Sequence, residues 1–276
     1  MLREKGVVMF SGGLDSRLVL KIMQERGYDI VALYFKLPFN KNTENEVKKF
    51  CKKQKIKIKI IDCTKGRLLK EYLKIIKKPK YGRGAGFNPC IDCRLFMSSK
   101  AREYANKNKI SLVASGEVLG QRPMSQTKKA MEIINKKGFE LTRPLIELGI
   151  SGRSRRKQIA LARKYKIKYP NPAGGCLLCE KNLKNRFRLL LKYNLINEKT
   201  LPLMSIGRHF INSNRWIVLG RNEKENKIIS ETKGIKVIPK QPGPSAWINN
   251  KKLVDKARKL IKKYSKHEIK EFGVLK

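Results

Sequence analysis

Residues 7–20 read VVMFSGGLDSRLVL, and the fold turns on what the glycines between the two apolar stretches do. Positions 6–10 have the length and composition of a short buried strand, while Leu14, Leu18, Leu20, Ile22 and Met23 fit the apolar face of a helix. Ser11, Gly12 and Gly13 form the joint between them. Glycine lets a backbone approach a ligand closely, and a helix opening at such a joint aims its unpaired N–H groups and positive dipole end at an anion. The joint is therefore a tight turn or a cradle for phosphate.

Outward from the joint, strand and helix alternate: a strand over 29–35, a helix near 43–53, a strand over 56–61 and a helix near 66–76. That rhythm predicts an α/β fold, a doubly wound parallel sheet with crossover helices. Residues 77–89, KKPKYGRGAGFNP, read as a mobile basic loop, followed by a helix over 93–106 and a strand over 111–115. An amphipathic run from Ser125 and a short strand over 140–142 end in TRPLIEL. Next, SGRSRRKQIALARKYKI predicts a basic helix capped by Ser151 or Ser154, with Arg153, Arg155 and Arg156 as candidate contacts to nucleic-acid phosphates or as a solvated face. A domain over 1–180, a linker helix over 181–202 and a small α+β module over 203–276 follow from the change of character near Pro202.

Sixty-five Lys and Arg against 22 Asp and Glu give a formal net charge of +43 over 276 residues, which points to a polyanionic partner such as nucleic acid. Part of that charge reflects a general richness in Lys, Ile and Asn. No stretch has the length and apolarity of a membrane span or the pattern of a signal peptide, and no basic amphipathic anchor is evident, so a cytoplasmic location is expected.

Of six cysteines, Cys51 and Cys63 fall in apolar patterns and read as buried small hydrophobes. The others form two C-x-x-C pairs, Cys90/Cys93 and Cys176/Cys179, a spacing that favours metal binding or thiol chemistry over disulfides in a cytoplasmic chain. Cys90 and Cys93 stand near a helix N-terminus, where the dipole lowers a thiol pKa. Two such pairs also suit a tetrahedral structural zinc.

The joint lacks a Gly-Lys-Ser/Thr and the spacing G-x-G-x-x-G. SGGLDS instead resembles the pyrophosphate-binding PP-loop of the ATP-α-hydrolase superfamily. With NPCIDC, SGEVLGQRPMSQ, TRPLIEL and PAGGCLLC in the same order over residues 1–185, the chain resembles the tRNA-thiolating branch of PP-loop ATPases, the 2-thiouridine and 4-thiouridine synthases. The resemblance implies an adenine nucleotide alpha hydrolase-like fold with ATP and Mg2+ held at Ser11, Gly12, Gly13, Asp15 and Ser16. It places adenine against the strand edge at 32–35, which includes Phe35, and near Gly116. In two-cysteine members, a Cys in an N-P-D-x-x-C-like motif and a later Cys carry persulfide sulfur, positions that resemble Cys93 and Cys176. Here Cys90 stands where the Asp would be. A C-x-x-C plus one distant Cys resembles the iron–sulfur members instead, implying a [4Fe–4S] cluster on Cys90, Cys93 and Cys176. Cys179 is extra, so a fourth ligand or a zinc site stays open.

The C-terminal stretch WIVLGRNEKENKII followed by VIPKQPGPSAWI resembles the RNA-binding domain of the NFACT proteins. That likeness implies donors from Arg208, His209, Arg215, Arg221, Asn222 and Asn226, and stacking on Trp216 or Trp247, although for each tryptophan taken alone core packing is the favoured reading. The expected function is an ATP-dependent tRNA uridine sulfurtransferase that uses sulfide or a persulfide carrier as sulfur donor. The alternatives are a non-catalytic RNA-binding protein with a structural zinc and a PP-loop ligase for a small molecule.

Overall fold

Val7, Val8, Met9 and Phe10 are all buried, as a strand covered on both faces requires. In the computed structural model, which describes residues 3–171 and 175–275, this run lies in and just beyond β1 (Lys5–Met9). There follow α1 (Leu14–Glu25), β2 (Asp29–Lys36), α2 (Glu44–Lys53), β3 (Lys57–Asp62), α3 (Gly66–Lys77), α4 (Cys90–Lys107) and β4 (Leu112–Ser115). The four strands form one parallel sheet in the order β3-β2-β1-β4, with Val7 level with Val31 and Val113.

Alternate residues feed two layers, as the two-residue period of a strand dictates. Val7, Met9, Leu33 and Phe35 join a core with Tyr72 of α3 and Phe96 of α4. Val8, Ala32 and Tyr34 join another with Leu18 and Met23 of α1 and with Val47 and Cys51 of α2. The doubly wound parallel sheet expected from the sequence is the one observed. Strand order reverses at β1, so the crevice beyond the carboxyl ends of β1 and β4 is where a ligand binds in such sheets.

Around that crevice lie α5 (Lys128–Lys136), α6 (Pro144–Glu147) and α7 (Arg156–Lys164). The strand expected over 140–142 is reduced to a single parallel bridge from Thr142 to Ala114. No side chain caps α7 from Arg155. Ser151 pairs with Leu119 in an isolated bridge, and the Ser154 hydroxyl accepts only the Arg156 N–H at 3.4 Å.

Residues 77–89, expected to be mobile, are tied down by their own polar groups. The buried Asp92 carboxylate accepts the Lys80 and Tyr81 N–H groups at 2.7 and 3.1 Å. Arg83 donates to the Ile76 and Phe87 carbonyls and lies 3.7 Å over the Phe87 ring.

Two short 3₁₀ turns, Leu177–Cys179 and Lys181–Leu183, lead into α8 (Lys184–Lys192). Then come β5 (Arg208–Asn212), β6 (Arg215–Leu219), α9 (Glu223–Glu231), β7 (Ile235–Pro239), β8 (Ala246–Ile248), α10 (Val254–Tyr264) and β9 (Phe272–Leu275). These five strands form an antiparallel sheet, β5-β6-β8-β7-β9. Ile217 and Leu219 pack under Ala257 and Ile261 of α10. Trp216, Val218 and Trp247 face the other way and join Phe187 and Leu190 of α8 in the core that begins at Val7.

Candidate active site

The joint after β1 is built for close approach. Gly12 has φ +82°, and a Cβ there would stand 2.6 Å from a Val47 methyl, so both conformation and space demand glycine. Ser16 donates to the Gly13 carbonyl at 3.0 Å and accepts the Ser11 N–H at 3.3 Å, which closes the loop over the start of α1. Buried Arg17 fixes its other side, donating to the Gly12 carbonyl at 2.7 Å and to the Lys168 carbonyl at 2.6 Å. Gly116, just after β4, packs so tightly that a Cβ would meet the Asp15 carbonyl carbon and the Ser16 nitrogen at 2.9 Å each. Gly116 thus seats the helix start. Phe35, assigned from sequence to the adenine edge, is 8% exposed and its side chain lies in the core.

Asp15 faces the crevice with Oδ1 buried and unpartnered. Burial raises its carboxyl pKa, and Arg155, Gln121 and Arg122 oppose that rise. Arg155 Nη2 stands 4.0 Å from Asp15 Oδ2, and its Nε is also buried without a partner. Of the three arginines assigned from sequence to a phosphate-contacting helix face, Arg155 therefore turns to the loop, while Arg153 and Arg156 are exposed.

Glu117, to which no role was assigned from the sequence, is fully buried after β4 between two cations. Its Oε1 lies 2.9 Å from Arg94 Nε and its Oε2 lies 2.8 Å from Arg143 Nε. This triad ties the cysteine-bearing α4 to the strand end beside the loop. A carboxylate in the apolar neighbourhood of SGEVLG, with an arginine in TRPL to meet it, was the available signal.

The two cysteine pairs meet beyond the same sheet edge. Gly86 passes so near the second pair that a Cβ would overlap the Leu178 carbonyl oxygen and come within 2.9 Å of Cys179 backbone atoms. The Phe87 N–H donates to the Leu178 carbonyl at 2.7 Å, and the Leu177 N–H donates to the Phe39 carbonyl at 2.8 Å. Cys176 forms an antiparallel bridge with Asn40. Pro172, Ala173 and Gly174 of the PAGGCLLC motif lie outside the described residues.

Cys179 interacts with both Cys90 and Cys176, while the Asn88 amide donates to Cys90 Sγ at 3.0 Å and the Tyr72 hydroxyl lies 3.2 Å from Cys93 Sγ. α4 begins at Cys90 itself, yet its dipole does not dominate. The Cys179 contact and burial push the Cys90 thiol up, and burial raises Cys93 to about 11. The lowered pKa values expected from the helix end give way to the Cys179 contact at Cys90 and to burial at Cys93. Among the described residues, no group of three or more His, Cys, Asp or Glu side chains is spaced to hold a metal ion.

The C-terminal candidates have internal partners. Trp216 and Trp247 are 0% and 4% exposed, so the stacking role considered for them gives way to core packing. Arg221 pairs with Glu225, whose Oε2 also accepts the Gly207 N–H at 3.2 Å. Asn222 caps α9, and Asn226 holds the turn before β8 through the Ser245 N–H and Gly243 carbonyl. His209 donates towards the Leu203 and Ile206 carbonyls through Nε2 and accepts the Trp216 indole N–H. Arg208 stays exposed, 4.9 Å over the Tyr264 ring, and Arg215 is exposed.

Known proteins are similar to parts of the chain. The “Probable tRNA sulfurtransferase” of Finegoldia magna is 32% identical over 145 residues, 51% of this chain and 36% of that protein. The tRNA-specific 2-thiouridylase MnmA of a Nitratiruptor species is 30% identical over 124 residues, 42% of this chain and 35% of that protein. The chain thus spans little more than a third of the length of these curated relatives. A solved 4-thiouridine synthetase–RNA complex with bound ATP aligns over 73% of this chain and 52% of that one, with 18% identity and a TM-score of 0.46. The family model described as thiamine biosynthesis protein (ThiI) matches residues 1–168, which carry the glycine loop, the first cysteine pair and the arginines around Asp15 and Glu117, and the chain belongs to that family.

Proposed function

We propose that the protein is an ATP-dependent tRNA uridine sulfurtransferase. The observation that supports this reading is that the glycine loop follows β1 of the parallel sheet while the two cysteine-bearing segments pack on each other and on the chain just after β2 of the same sheet. The loop and the start of α1 would hold the ATP phosphates, with Asp15 beside Mg2+ and Arg155 near the phosphates. A uridine carbonyl oxygen attacks the α-phosphate, pyrophosphate leaves, and the N3 proton is released. Sulfide then forms the C–S bond as the C–O bond breaks, AMP leaves with the oxygen, and the sulfide proton passes to N3. Activation is required because a bare carbonyl oxygen is a poor leaving group.

The all-thiol donor set of Cys90, Cys93 and Cys176 suits a [4Fe–4S] cluster by its chemistry, while the three side chains as placed are not spaced to hold a metal and would have to draw together around it. Such a cluster would supply thiophilic iron for sulfur delivery. The chain's own contribution is to half-bury Cys90, Cys93 and Cys176 and to orient Cys93 through the Tyr72 hydroxyl and Cys90 through the Asn88 amide. RNA would meet the exposed Arg153, Arg156 and Arg208, in keeping with the charge of +43.

Four single Cys→Ala variants, prepared anaerobically beside Asp15→Ala, test the assignment through pyrophosphate release, bound iron and zinc, and thiouridine in tRNA digests. Asp15→Ala should lose pyrophosphate release, and losing Cys90, Cys93 or Cys176 should remove thiouridine and bound iron, with Cys179→Ala retaining both. Wild-type thiolation by Asp15→Ala would overturn the assignment. Equal loss of stability in all four cysteine variants, with zinc bound, would make the cysteines a scaffold.

A further inference from the structure

The segment between β4 and α5 spans the two halves of the site, and Arg122 stands midway along it. Its upstream part is fixed beside the phosphate loop: Gly116 packs on the Asp15–Ser16 backbone, and the Gly152 N–H donates to the Leu119 carbonyl at 2.7 Å. Its downstream part reaches the thiols, where the Asn88 amide that donates to Cys90 Sγ also contacts Met124 Sδ at 3.7 Å. A tight turn closes between them through Gly120 N–H to the Gln126 carbonyl at 2.7 Å and Gln126 N–H to the Arg122 carbonyl at 3.2 Å. Gln126 is buried, whereas Arg122 and Pro123 are exposed at the tip.

The surrounding arginines are engaged: Arg94 and Arg143 pair with Glu117, and Arg155 pairs with Asp15. Among the described residues, Arg122 has no carboxylate within the 4.0 Å reach of those pairs. The segment that carries it runs from the Asp15–Ser16 backbone, on which Gly116 packs, to the Asn88 amide, which Met124 touches and which holds Cys90. A guanidinium presents planar donors that match a phosphate's oxygens, and here it is free to do so.

We propose that Arg122 binds phosphate between the glycine loop and the cysteines, holding the phosphate of the adenylated base as the sulfur nucleophile approaches. This rests on the sulfurtransferase assignment above. An adenylated carbonyl carries its phosphate one oxygen away from the carbon that sulfur must attack, so that phosphate has to lie between loop and thiols. An incoming anionic sulfur is repelled by it, and a cation at this point relieves the repulsion while pinning the leaving group. A backbone phosphate of bound RNA offers the same chemistry from a second source.

The intact chain and its Arg122→Gln and Arg122→Lys variants separate these sources. AMP is titrated by calorimetry without RNA, and tRNA affinity is measured across a salt series. If the adenylate phosphate is the ligand, Arg122→Gln should weaken AMP about tenfold, and Arg122→Lys should recover part of the loss. If an RNA phosphate is the ligand, AMP affinity should hold while the salt slope of tRNA binding falls by about one in Arg122→Gln. AMP affinity and salt slope both equal to wild type would overturn the proposal and leave the sulfurtransferase assignment standing. A wild-type chain that binds neither ATP nor AMP would remove that assignment, and the proposal with it.

Discussion

Glu117→Ala removes the one carboxylate between Arg94 and Arg143, whose side chains are only 19% and 12% exposed. Both guanidiniums would then be held out of water without their acid. Breaking a buried ion pair from one side costs about 3–5 kcal/mol, because the remaining charge is uncompensated. At about 2–4 °C per kcal/mol for a domain near this size, the melting temperature should fall by roughly 6–20 °C. Glu117→Gln keeps the shape and one acceptor and should fall in the lower part of that range. The assay is thermal unfolding followed by far-ultraviolet circular dichroism, at low and high salt. Since the triad is buried, salt should change the loss little. A companion chain with Arg94→Met, Glu117→Leu and Arg143→Met should regain much of the stability, as apolar replacements of buried triads do. A fall of less than about 2 °C in Glu117→Ala would refute the idea that this triad holds α4 to the strand end.

Burial, reinforced by Arg186, lowers the His209 pKa from 6.5 to about 3, so its contribution to stability is complete above pH 6.5 and is lost as pH falls towards 3. Unfolding free energy in urea, read by tryptophan fluorescence, should drop by up to about 1.4 kcal/mol per pH unit below that point, with the slope absent in His209→Gln. A flat wild-type profile from pH 6.5 to 5 would contradict it. Gly86→Ala should push the second cysteine pair away, destabilise by about 1–3 kcal/mol, and lower the yield of a Cys90–Cys179 disulfide under mild oxidation; wild-type stability and yield would disprove the close approach. Arg153→Ala and Arg156→Ala should each reduce the salt slope of tRNA binding by about one, and unchanged slopes in both would place the RNA elsewhere.

Much of the first sheet was legible because buried parallel strands and amphipathic helices carry strong local patterns, and Val7 to Phe10 with the helix after Gly13 are one such unit. Near the C-terminus that legibility fails at β5, α9 and β9. The two strands depend on partners such as Leu219 and Val237 for pairing, and α9 buries only a narrow face through Glu225 and Ile229. In the site, the glycines and the cysteine pairs were visible as motifs. The upward pull on the thiols was not, because the Cys179 contact at Cys90 and the burial of Cys93 arise only in the packed chain and outweigh the helix end. Arg155 and Glu117 were hidden for a related reason: each finds its partner across many residues, at Asp15 and at Arg94 and Arg143.

The apolar core that begins at Val7 and runs through Phe187 and Leu190 to Trp216 and Trp247 bears on how this chain can be taken apart. A modular appendage can be swapped like a cassette when the join is wet and polar. Here the join is greasy: removing the antiparallel sheet would strip the cover from α8, which itself rests on α3. A gene cut at Pro202 should therefore yield a sticky, partly melted fragment rather than a smaller well-folded domain. Recombination that exchanged this sheet would have to carry α8 with it.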